Sequence, residues 1–528
     1  MNIVTILQRQ SHERPEAAAI MDMQGGRERV TTFAGLENAS AAGAALLRHT
    51  GLVSGDTVLV FQHMSAELYI ALMSLFRLGI TAMFLDPSAG LKHIERCCAI
   101  LPPQALIASP KAQLLRLVSP ALREIPHHIC FSRFLPGCIP WSSSGRLEPH
   151  LPITACEADG PALITFTSGS TGLPKAVVRS HGFLLEQHRV LERTIHLVPG
   201  TIDLTTLPVF VLANLASGVT SLVPDADLRR PGAIKGASVL RQIDRHRPVS
   251  VVASPAFLER LCAACEETGR TVSGFRSVFT GGAPVFPDHL DRFTAIFSTA
   301  EVVAVYGSTE AEPIAHISRQ AMSGADLETM NAGGGLLAGK PVAEISVRVI
   351  APCWGTRLGN LDETAFSSIC LQPGKAGEIV VTGGHVLKGY LHGRGDEETK
   401  FRVNGTVWHR TGDSGYIDDA GRIWLLGRSA AVINDARGQL YPFTVECAAR
   451  NFHGVSGAAL VSRNGQRILF VQAGKGERID TVAIRDALAW AELDAVRELD
   501  EIPLDTRHNA KVDYGRLAKI KFIRGVSP

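Results

Sequence analysis

The chain has 528 residues, of which 45% are hydrophobic, enough apolar material for about three domains or subdomains, and this composition excludes a generally disordered protein. Its 53 Lys and Arg residues nearly balance its 51 Asp and Glu residues, so the basic excess of a nucleic-acid-binding protein is missing. The ten cysteines are scattered along the chain, and we predict free thiols in a cytoplasmic protein with no nucleic-acid partner.

Helix-like and strand-like patterns alternate over most of the chain, which predicts α/β layers. "GDTVLVF" reads as a strand, and a helix-like stretch from Glu67 to Leu78 leads into the strand "TAMFLDP". Arg77 and Gly79 interrupt this most apolar region, whereas a membrane span needs about 20 largely apolar residues. We therefore predict a buried helix and no transmembrane segment.

Apolar runs in the middle of the chain end in clusters of Gly, Pro, Ser or Thr, as in "FRSVFTGGAP" and "AEVVAVYGSTE". Loops at the carboxyl ends of strands are where α/β sheets bind ligands. Beyond about Gly333 the pattern becomes β-rich. We predict a large N-terminal domain at 1–427, with a β-rich subdomain at about 333–427, and a small α+β C-terminal domain at 428–528.

The stretch "TFTSGSTGLPK" follows an apolar strand and collects hydroxyls, glycines and a lysine. It is not a Walker A loop, because only two residues separate Gly169 from Gly172. Its ingredients nevertheless suit a phosphate, since glycines expose backbone N–H groups and an ammonium supplies charge. A surface turn is the alternative interpretation. The candidate phosphate-binding residues are Thr167, Ser168, Gly169, Ser170, Thr171, Gly172 and Lys175.

In "VYGSTEAEP" a strand is followed at once by the hydroxyl of Thr309 and the carboxylate of Glu310. This pair is what Mg²⁺ requires when it bridges to a substrate phosphate. The alternative is a helix N-cap followed by first-turn acids. Glu312, two residues on, is expected to be a solvated helix residue rather than a second metal ligand.

A third polar stretch, "VWHRTGDSGYIDDAGRIWLLGR", places Asp413 next to a glycine, where its carboxylate can accept both hydroxyls of a ribose. Arg428 at its end could pair with a phosphate or ribose. The alternative is two turns of a β-hairpin, an interpretation that we favour for Asp418 and Asp419.

Taken together and in this order, the motifs resemble those of the AMP-forming adenylating enzymes, which include acyl-CoA synthetases, luciferases and the adenylation domains of peptide synthetases. The resemblance implies a phosphate loop at "TSGSTGLPK" and a ribose-binding aspartate in "HRTGD". It also implies an aromatic-plus-magnesium motif in "YGSTE", with Tyr306 and Gly307, and a late catalytic lysine, Lys511. The adenine-side segment "GGAP" comprises Gly281, Gly282, Ala283 and Pro284.

The resemblance implies a chemistry as well. ATP and a carboxylic acid would give an acyl adenylate and pyrophosphate, with Lys511, Thr309 and Glu310 as catalytic residues and Mg²⁺ held near Glu310. Arg428 would open the hinge into a mobile C-terminal domain, and a homodimer is the family's common assembly.

Several departures resemble one subgroup, the β-lactone synthetases of bacterial olefin biosynthesis. The hinge carries Ala430 and Ala431 where polar residues are usual, Arg437 stands where a glycine is usual, and "WHRTGD" and "IPLDTRHNAK" match the subgroup. This resemblance implies a long-chain 2-alkyl-3-hydroxy acid as substrate and other enzymes of the same lipid pathway as partners. A fatty acyl-CoA synthetase, which would also use CoA, and a non-catalytic nucleotide- or acyl-binding relative are the alternatives.

Three further interpretations depend on single segments. Phe210, Val211 and Leu212 are apolar and could wall an acyl pocket, although a core strand would have the same pattern. His181 is expected to face water in the first turn of a helix. Cys262 and Cys265 are expected to be buried on a helix rather than to bind metal.

Overall fold

The structure is a computed structural model that describes residues 1–85, 90–132, 135–168, 174–504, 512–517 and 519–520. Five of the predicted site residues, Gly169, Ser170, Thr171, Gly172 and Lys511, lie outside the described residues, as does the side chain of Ser168.

The helices, in chain order, are α1 (Val4–Glu13), α2 (Phe33–His49), α3 (Ala66–Arg77), α4 (Leu91–Ile100), α5 (Pro110–Gln113), α6 (Pro120–Arg123), α7 (His181–Thr194), α8 (Pro208–Ser217), α9 (Gly236–His246), α10 (Pro255–Glu266), α11 (Pro287–Ile296), α12 (Gly324–Asn331), α13 (Glu363–Ile369), α14 (Asp396–Thr399), α15 (Pro442–Arg450), α16 (Thr481–Ala487) and α17 (Tyr514–Leu517).

The strands are β1 (Ala18–Gln24), β2 (Arg27–Thr32), β3 (Thr57–Phe61), β4 (Thr81–Phe84), β5 (Ala105–Ala108), β6 (His127–Cys130), β7 (Ile139–Pro140), β8 (Pro161–Ser168), β9 (Pro174–Ser180), β10 (Ile202–Thr205), β11 (Thr220–Leu222), β12 (Ser250–Ala253), β13 (Ser277–Gly281), β14 (Glu301–Ser308), β15 (Ala311–Ser318), β16 (Leu336–Pro341), β17 (Ile345–Ile350), β18 (Asn360–Leu361), β19 (Gly377–Gly383), β20 (Lys400–Val403), β21 (Thr406–Ile417), β22 (Ile423–Arg428), β23 (Ile433–Asp435), β24 (Gly438–Leu440), β25 (Val455–Arg463), β26 (Gln466–Ala473) and β27 (Ala495–Leu499).

Two large sheets carry the N-terminal part of the chain. One has the order β7-β6-β5-β3-β4-β8-β9 and is parallel except for the antiparallel β8–β9 pair. The other runs β2-β1-β11-β10-β12-β13-β14 and continues through β15, β16, β22, β21 and β19 to β17. It is parallel from β1 to β14 and antiparallel from β14 to β17, so the predicted α/β layers and β-rich segments are confirmed.

The interrupted apolar run forms α3 and β4, as predicted. Arg77 is fully buried at the end of α3, where it pairs with Glu37 and donates from Nη1 to the carbonyl of Leu151 at 2.5 Å. A buried guanidinium is tolerated only when such partners replace its water. Among the described helices, none combines the length and apolar composition needed to cross a bilayer. All ten cysteines are free, and Cys262 and Cys265 are buried on α10 as expected.

The described residues after Arg428 build a small unit with its own sheet, β25-β26-β27, and its own core beneath α15 and α16. It contacts the large part of the chain through α15. Arg450 on this helix pairs with Asp288 at 2.5 Å, and the ring centroids of Phe443 and Phe286 are 6.1 Å apart.

Inside this unit, Glu446 of α15 is buried with two donors. Its Oε1 accepts from the backbone N–H of Leu460 at 2.9 Å and from the hydroxyl of Tyr514 at 2.9 Å. Burial raises the pKa of the Glu446 carboxyl from its ordinary 4.5 to about 7, and these two hydrogen bonds oppose the rise. The folded state therefore binds a proton more tightly here than the unfolded chain does.

This difference predicts a pH-dependent stability. Between about pH 4.5 and 7 the contribution of Glu446 to the free energy of unfolding should fall as pH rises, by up to about 1.4 kcal/mol per pH unit, because ionising Glu446 in the fold is unfavourable. Glu446→Gln stays neutral, so its melting temperature should gain on that of the wild type as pH rises through this window and hold its lead above it. Glu498→Gln, an exposed carboxyl on β27, is the control. Parallel pH profiles for wild type and Glu446→Gln would contradict the account.

Candidate active site

The centre of the site is the tight hairpin between β14 and β15. Thr309 and Glu310 form its turn, so the N-cap alternative for these residues is wrong. Arg179 of β9, itself buried, donates from Nη2 to the carbonyl of Thr309 at 3.1 Å and from Nη1 to Thr165 Oγ1 at 3.3 Å. This links the hairpin tip of one large sheet to the edge of the other.

Glu310 is held by its surroundings. Its Oε1 accepts from the hydroxyl of Tyr390 at 2.8 Å, and its carbonyl accepts from the backbone N–H of Leu387 at 2.7 Å. Burial and the charge of Glu310 raise the pKa of the Tyr390 phenol, which therefore remains a donor. Within the described part of the chain, no donor is recorded for the second carboxylate oxygen of Glu310.

Thr309 and Glu310 suit a Mg²⁺ ion that is bound together with a substrate phosphate rather than by protein ligands alone. The described residues contain no group of three or more His, Cys, Asp or Glu side chains that could hold a metal ion alone. Mg²⁺ is usually bound by one or two carboxylates together with substrate phosphates and water. One oriented carboxylate beside the Thr309 hydroxyl fits that pattern.

Lys400 is close enough to Glu310 for their charges to interact, and it was not among the site residues predicted from the sequence. Its ammonium donates to the carbonyl of Leu387 and lies 5.7 Å from the centre of the Tyr390 ring. Burial lowers the pKa of Lys400 to about 7, and the charges of Glu310 and Asp396 oppose that shift. A lysine in "EETKFRV" reads as a solvated strand residue, so the sequence held no signal of this position.

Lys175 of the predicted phosphate loop is paired. Its Nζ lies 2.6 Å from Glu398 Oε2 on α14 and 5.8 Å from the centre of the Tyr390 ring. A Cβ on Gly395 would lie 2.7 Å from Lys175 Cδ, so a glycine lets the lysine pass. Glu398 is the second site residue that sequence reasoning missed. Thr167, the first hydroxyl of the loop, is the β8 partner of Lys175 in the β8–β9 register.

Asp413 on β21 is joined to two other predicted site residues. Its Oδ2 accepts from the hydroxyl of Tyr306 at 2.8 Å, and its Oδ1 accepts from Arg428 Nη1 at 2.9 Å. Asp413 and Arg428 are directly opposite each other in the β21–β22 ladder. Gly412 has a φ of 74°, and a Cβ there would lie 3.0 Å from Arg428 Nη2.

The hairpin interpretation of this stretch is also confirmed for its turn. Asp418 accepts from the side chains of Arg422 at 2.8 Å and Trp424 at 2.9 Å and so closes the β21–β22 turn. Asp418 therefore stabilises the turn of this hairpin, and Asp413 lies at its open end, where it pairs with Arg428.

The "GGAP" segment begins with the last residue of β13, Gly281, which pairs with Val305 of β14. A Cβ on Gly281 would lie 2.6 Å from the carbonyl oxygen of Val305, so only glycine permits this approach of the two strands. Gly282 has a φ of 81°, which favours glycine. Ala283 and Pro284 are half-buried beside it.

An apolar cavity begins at these two loops. Gly281, Gly282 and Gly307 line it together with apolar side chains of α7, α8 and the neighbouring strand ends. Those side chains are Leu191, Ile195, Leu207, Phe210, Val252, Phe279 and Val305. The cavity thus connects the predicted nucleotide loops with an apolar interior.

Of the three predicted pocket residues, Phe210 lines the cavity, and all three lie on helix α8 rather than on a strand. Successive helical side chains point about 100° apart, so neighbours cannot share one face. Val211 and Leu212 pack instead in the core formed with Leu215 and Val223.

Two expectations about single residues are wrong. Glu312 belongs to strand β15, not to a helix, and it lines the apolar cavity. His181 begins α7 but is 1% exposed, and its Nδ1 accepts from the backbone N–H of Ile3 at 3.3 Å. Burial lowers the pKa of His181 to about 4, so the ring is neutral at pH 7.

The segment predicted to be an altered hinge forms a 3-10 turn, Ser429–Ala431, in which Ala430 is exposed. Arg437 contacts its own small unit, through Asp435 at 3.1 Å and Asp494 at 3.0 Å.

Comparison with known proteins agrees with this geometry. Residues 7–391 match the family model described as AMP-binding enzyme. An olefin beta-lactone synthetase from Xanthomonas campestris pv. campestris is 30% identical, with 98% of this chain and 97% of that protein aligned. Another from Stenotrophomonas maltophilia is 29% identical over the same shares. A 4-coumarate–CoA ligase from Oryza sativa subsp. japonica is 26% identical over 87% of this chain and 80% of that protein.

Solved structures share the fold. An amide bond synthetase, McbA, from Marinactinospora thermotolerans has a TM-score of 0.80 at 20% identity, covering 98% of this chain and 99% of that one. ATP-bound MatB from Rhodopseudomonas palustris has a TM-score of 0.78 at 21% identity over the same shares. The predicted fold class, a large N-terminal α/β domain with a small C-terminal one, is confirmed. The chain belongs to the AMP-binding enzyme family and is an ATP-dependent, AMP-forming ligase that activates a carboxylic acid.

Proposed function

We propose that this ligase converts a long-chain 2-alkyl-3-hydroxy acid into a β-lactone. The observation that carries the proposal is the similarity to two olefin beta-lactone synthetases along nearly the whole of both chains. The non-catalytic alternative is excluded by the assignment as a ligase.

The nucleotide would be held by the motif residues in the roles that the resemblance implies. Asp413 would accept the ribose hydroxyls, with Tyr306 and Arg428 fixing its two oxygens in place. The "GGAP" segment would line the adenine, and the 167–175 loop would bind the pyrophosphate. Lys175 would leave the Glu398 carboxylate and bind the phosphate oxygens instead, because the carboxylate and the phosphate are both anionic partners for its ammonium group.

In the first step, the carboxylate attacks the α-phosphorus of ATP and pyrophosphate leaves. Two anions must approach, so fixed positive charge near the reacting atoms lowers the barrier. We propose that Lys511 and Lys175 supply part of it. Mg²⁺, held by Glu310 and Thr309, would add the charge that neutralises the phosphate oxygens. The hydroxyl of Tyr390, which donates to Glu310 Oε1, would keep that carboxylate oriented, and Lys400 packs over the Tyr390 ring.

In the second step, the substrate's own 3-hydroxyl attacks the acyl carbonyl and AMP leaves. This nucleophile is part of the substrate, so the step requires no tunnel for CoA and no polar hinge residue at Ala430.

We propose that residues 1–427 form the domain that binds both substrates and that 428–528 form the mobile domain that carries Lys511.

A fatty acyl-CoA synthetase remains the second candidate function, and one observation favours it. Arg437, a bulky residue at the predicted CoA path, is drawn onto Asp435 and Asp494 of its own unit.

The reaction test uses purified protein, ATP, Mg²⁺ and a long-chain 2-alkyl-3-hydroxy acid, with and without CoA. We expect AMP release at the same rate in both, together with a product that has lost one water and is cyclised, identified by mass spectrometry. AMP release that depends on CoA would instead establish the acyl-CoA synthetase.

The ribose assignment predicts that Asp413→Asn raises the KM for ATP about 10- to 100-fold, because a charge-assisted acceptor is lost. The KM for the acid should stay within about threefold, measured by ATP–pyrophosphate exchange. Asp419→Asn, an exposed carboxyl in the turn of the same hairpin, is the matched control. An unchanged KM for ATP in Asp413→Asn would contradict the assignment.

A further inference from the structure

Exposed apolar side chains are concentrated on one short turn after β5. Ten large apolar side chains in the described part of the chain are exposed, and three of them, Leu114, Leu117 and Val118, lie within five consecutive residues. Leu117 is 73% exposed, the largest fraction of the ten. The turn is a 3-10 helix, Leu114–Leu117, and side chains three residues apart in such a helix lie one above the other. Leu114 and Leu117 therefore form one apolar surface with Val118 next to it, here called the 114–118 surface.

The backbone of this turn is held in place beneath those side chains. Gln113, which is buried, donates from Nε2 to the carbonyl of Ile129 at 2.9 Å. Arg123 donates from Nε to the carbonyl of Arg116 at 3.2 Å and from Nη2 to the carbonyl of Leu117 at 3.1 Å. Because the turn is fastened on both sides, the exposure of its leucines is a fixed property of the fold.

Cations surround the 114–118 surface. Four exposed ones lie on α5 before it, on α6 after it and on the neighbouring helix α4, and these are Lys111, Arg123, Lys92 and Arg96. Helix α4 lies against this region, since Ser119 Oγ donates to Glu95 Oε1 at 3.4 Å. Between residues 91 and 124 there are five lysines and arginines but only two glutamates, whereas the whole chain is nearly balanced. An apolar surface edged by cations is typical of a segment that lies in the interface of an anionic bilayer.

The 114–118 surface lies at the edge of the sheet that leads into the predicted phosphate loop. Strand β5, which precedes the surface, and strand β8, which precedes that loop, are joined through β3 and β4 in one parallel array. Parallel strands have their carboxyl ends at one edge, and β5 and β8 are three strand spacings, or about 14 Å, apart. A lipid surface bound here would therefore face the side of the protein at which ATP is predicted to bind.

We propose that the 114–118 surface and its four cations bind the surface of an anionic lipid bilayer. The leucines would enter the headgroup region, and the cations would pair with lipid phosphates. Three aliphatic side chains expose far less than the roughly 800 Å² that each partner buries in a specific protein interface, which favours lipid over a protein partner. This inference goes beyond the proposed function and depends on it in one respect, because an acid with two long alkyl chains partitions into bilayers and would reach the enzyme from there.

Flotation with lipid vesicles tests the proposal on the full-length protein without any substrate. We expect binding to vesicles of phosphatidylglycerol and phosphatidylcholine in equal parts. Binding to vesicles of phosphatidylcholine alone should be at least about tenfold weaker, because the cations then meet no net negative charge. Binding to the mixed vesicles should also weaken as the salt concentration rises.

Variants of the surface should lose this binding. Leu117→Ser should lower the partition coefficient for the mixed vesicles about tenfold, because an apolar side chain is removed from the interface. Lys92→Ala combined with Lys111→Ala should lower it about 10- to 30-fold, at about fivefold for each cation. Leu151→Ser and Lys475→Ala, which change exposed residues elsewhere, are the matched controls. All these variants should activate a short, water-soluble acid at the wild-type rate.

Absence of binding to the mixed vesicles, or equal binding by Leu117→Ser and Leu151→Ser, would overturn the lipid surface and leave the proposed function standing. A smaller particle for Leu117→Ser than for the wild type, measured by light scattering, would also overturn it, since the surface would then be an interface between copies of the chain. Vesicle binding by a wild type that makes no lactone from any hydroxy acid would overturn the proposed function alone.

Discussion

The site depends on the turn between β14 and β15. At this point the large sheet changes from parallel to antiparallel, and the turn brings a hydroxyl and a carboxylate to the carboxyl end of a buried strand. Arg179 ties its tip to the other large sheet, and the N–H of Leu387 ties Glu310 to the segment after β19. Loosening the turn would move the predicted metal ligand, the cavity mouth and Glu312 together.

The four described charged groups predicted at the nucleotide site, Lys175, Glu310, Asp413 and Arg428, each have a partner in the protein. Tyr306 and Arg428 hold Asp413, Tyr390 holds Glu310, and Glu398 pairs with Lys175. Such pairing fixes side-chain orientation before substrate arrives, which is the preorganisation that makes electrostatic stabilisation effective. It also limits the cost of leaving charges in a cleft of low polarity.

The sequence was sufficient for what short-range patterns determine. The strand at "GDTVLVF" and the helix predicted from Glu67 to Leu78 followed from local periodicity. The meeting of "GGAP", "YGSTE" and "HRTGD" followed from the resemblance. The sequence was insufficient where contacts between distant parts of the chain determine which side chains are buried. Glu312 could not be seen to face a cavity because its neighbours there, Leu191 and Phe210, lie over a hundred residues away. His181 and Lys400 were hidden for the same reason, since burial of a polar residue depends on distant partners.

The central claim is that the carboxyl of the substrate, not its hydroxyl, is activated. A hydroxy acid labelled with oxygen-18 in both carboxylate oxygens tests this directly, with mass spectrometry of the AMP and the cyclised product. The account predicts one labelled oxygen in AMP and one in the lactone carbonyl, with an unlabelled ring oxygen from the 3-hydroxyl. Unlabelled AMP, with both labelled oxygens in the lactone, would show that the hydroxyl had been activated and would contradict the account.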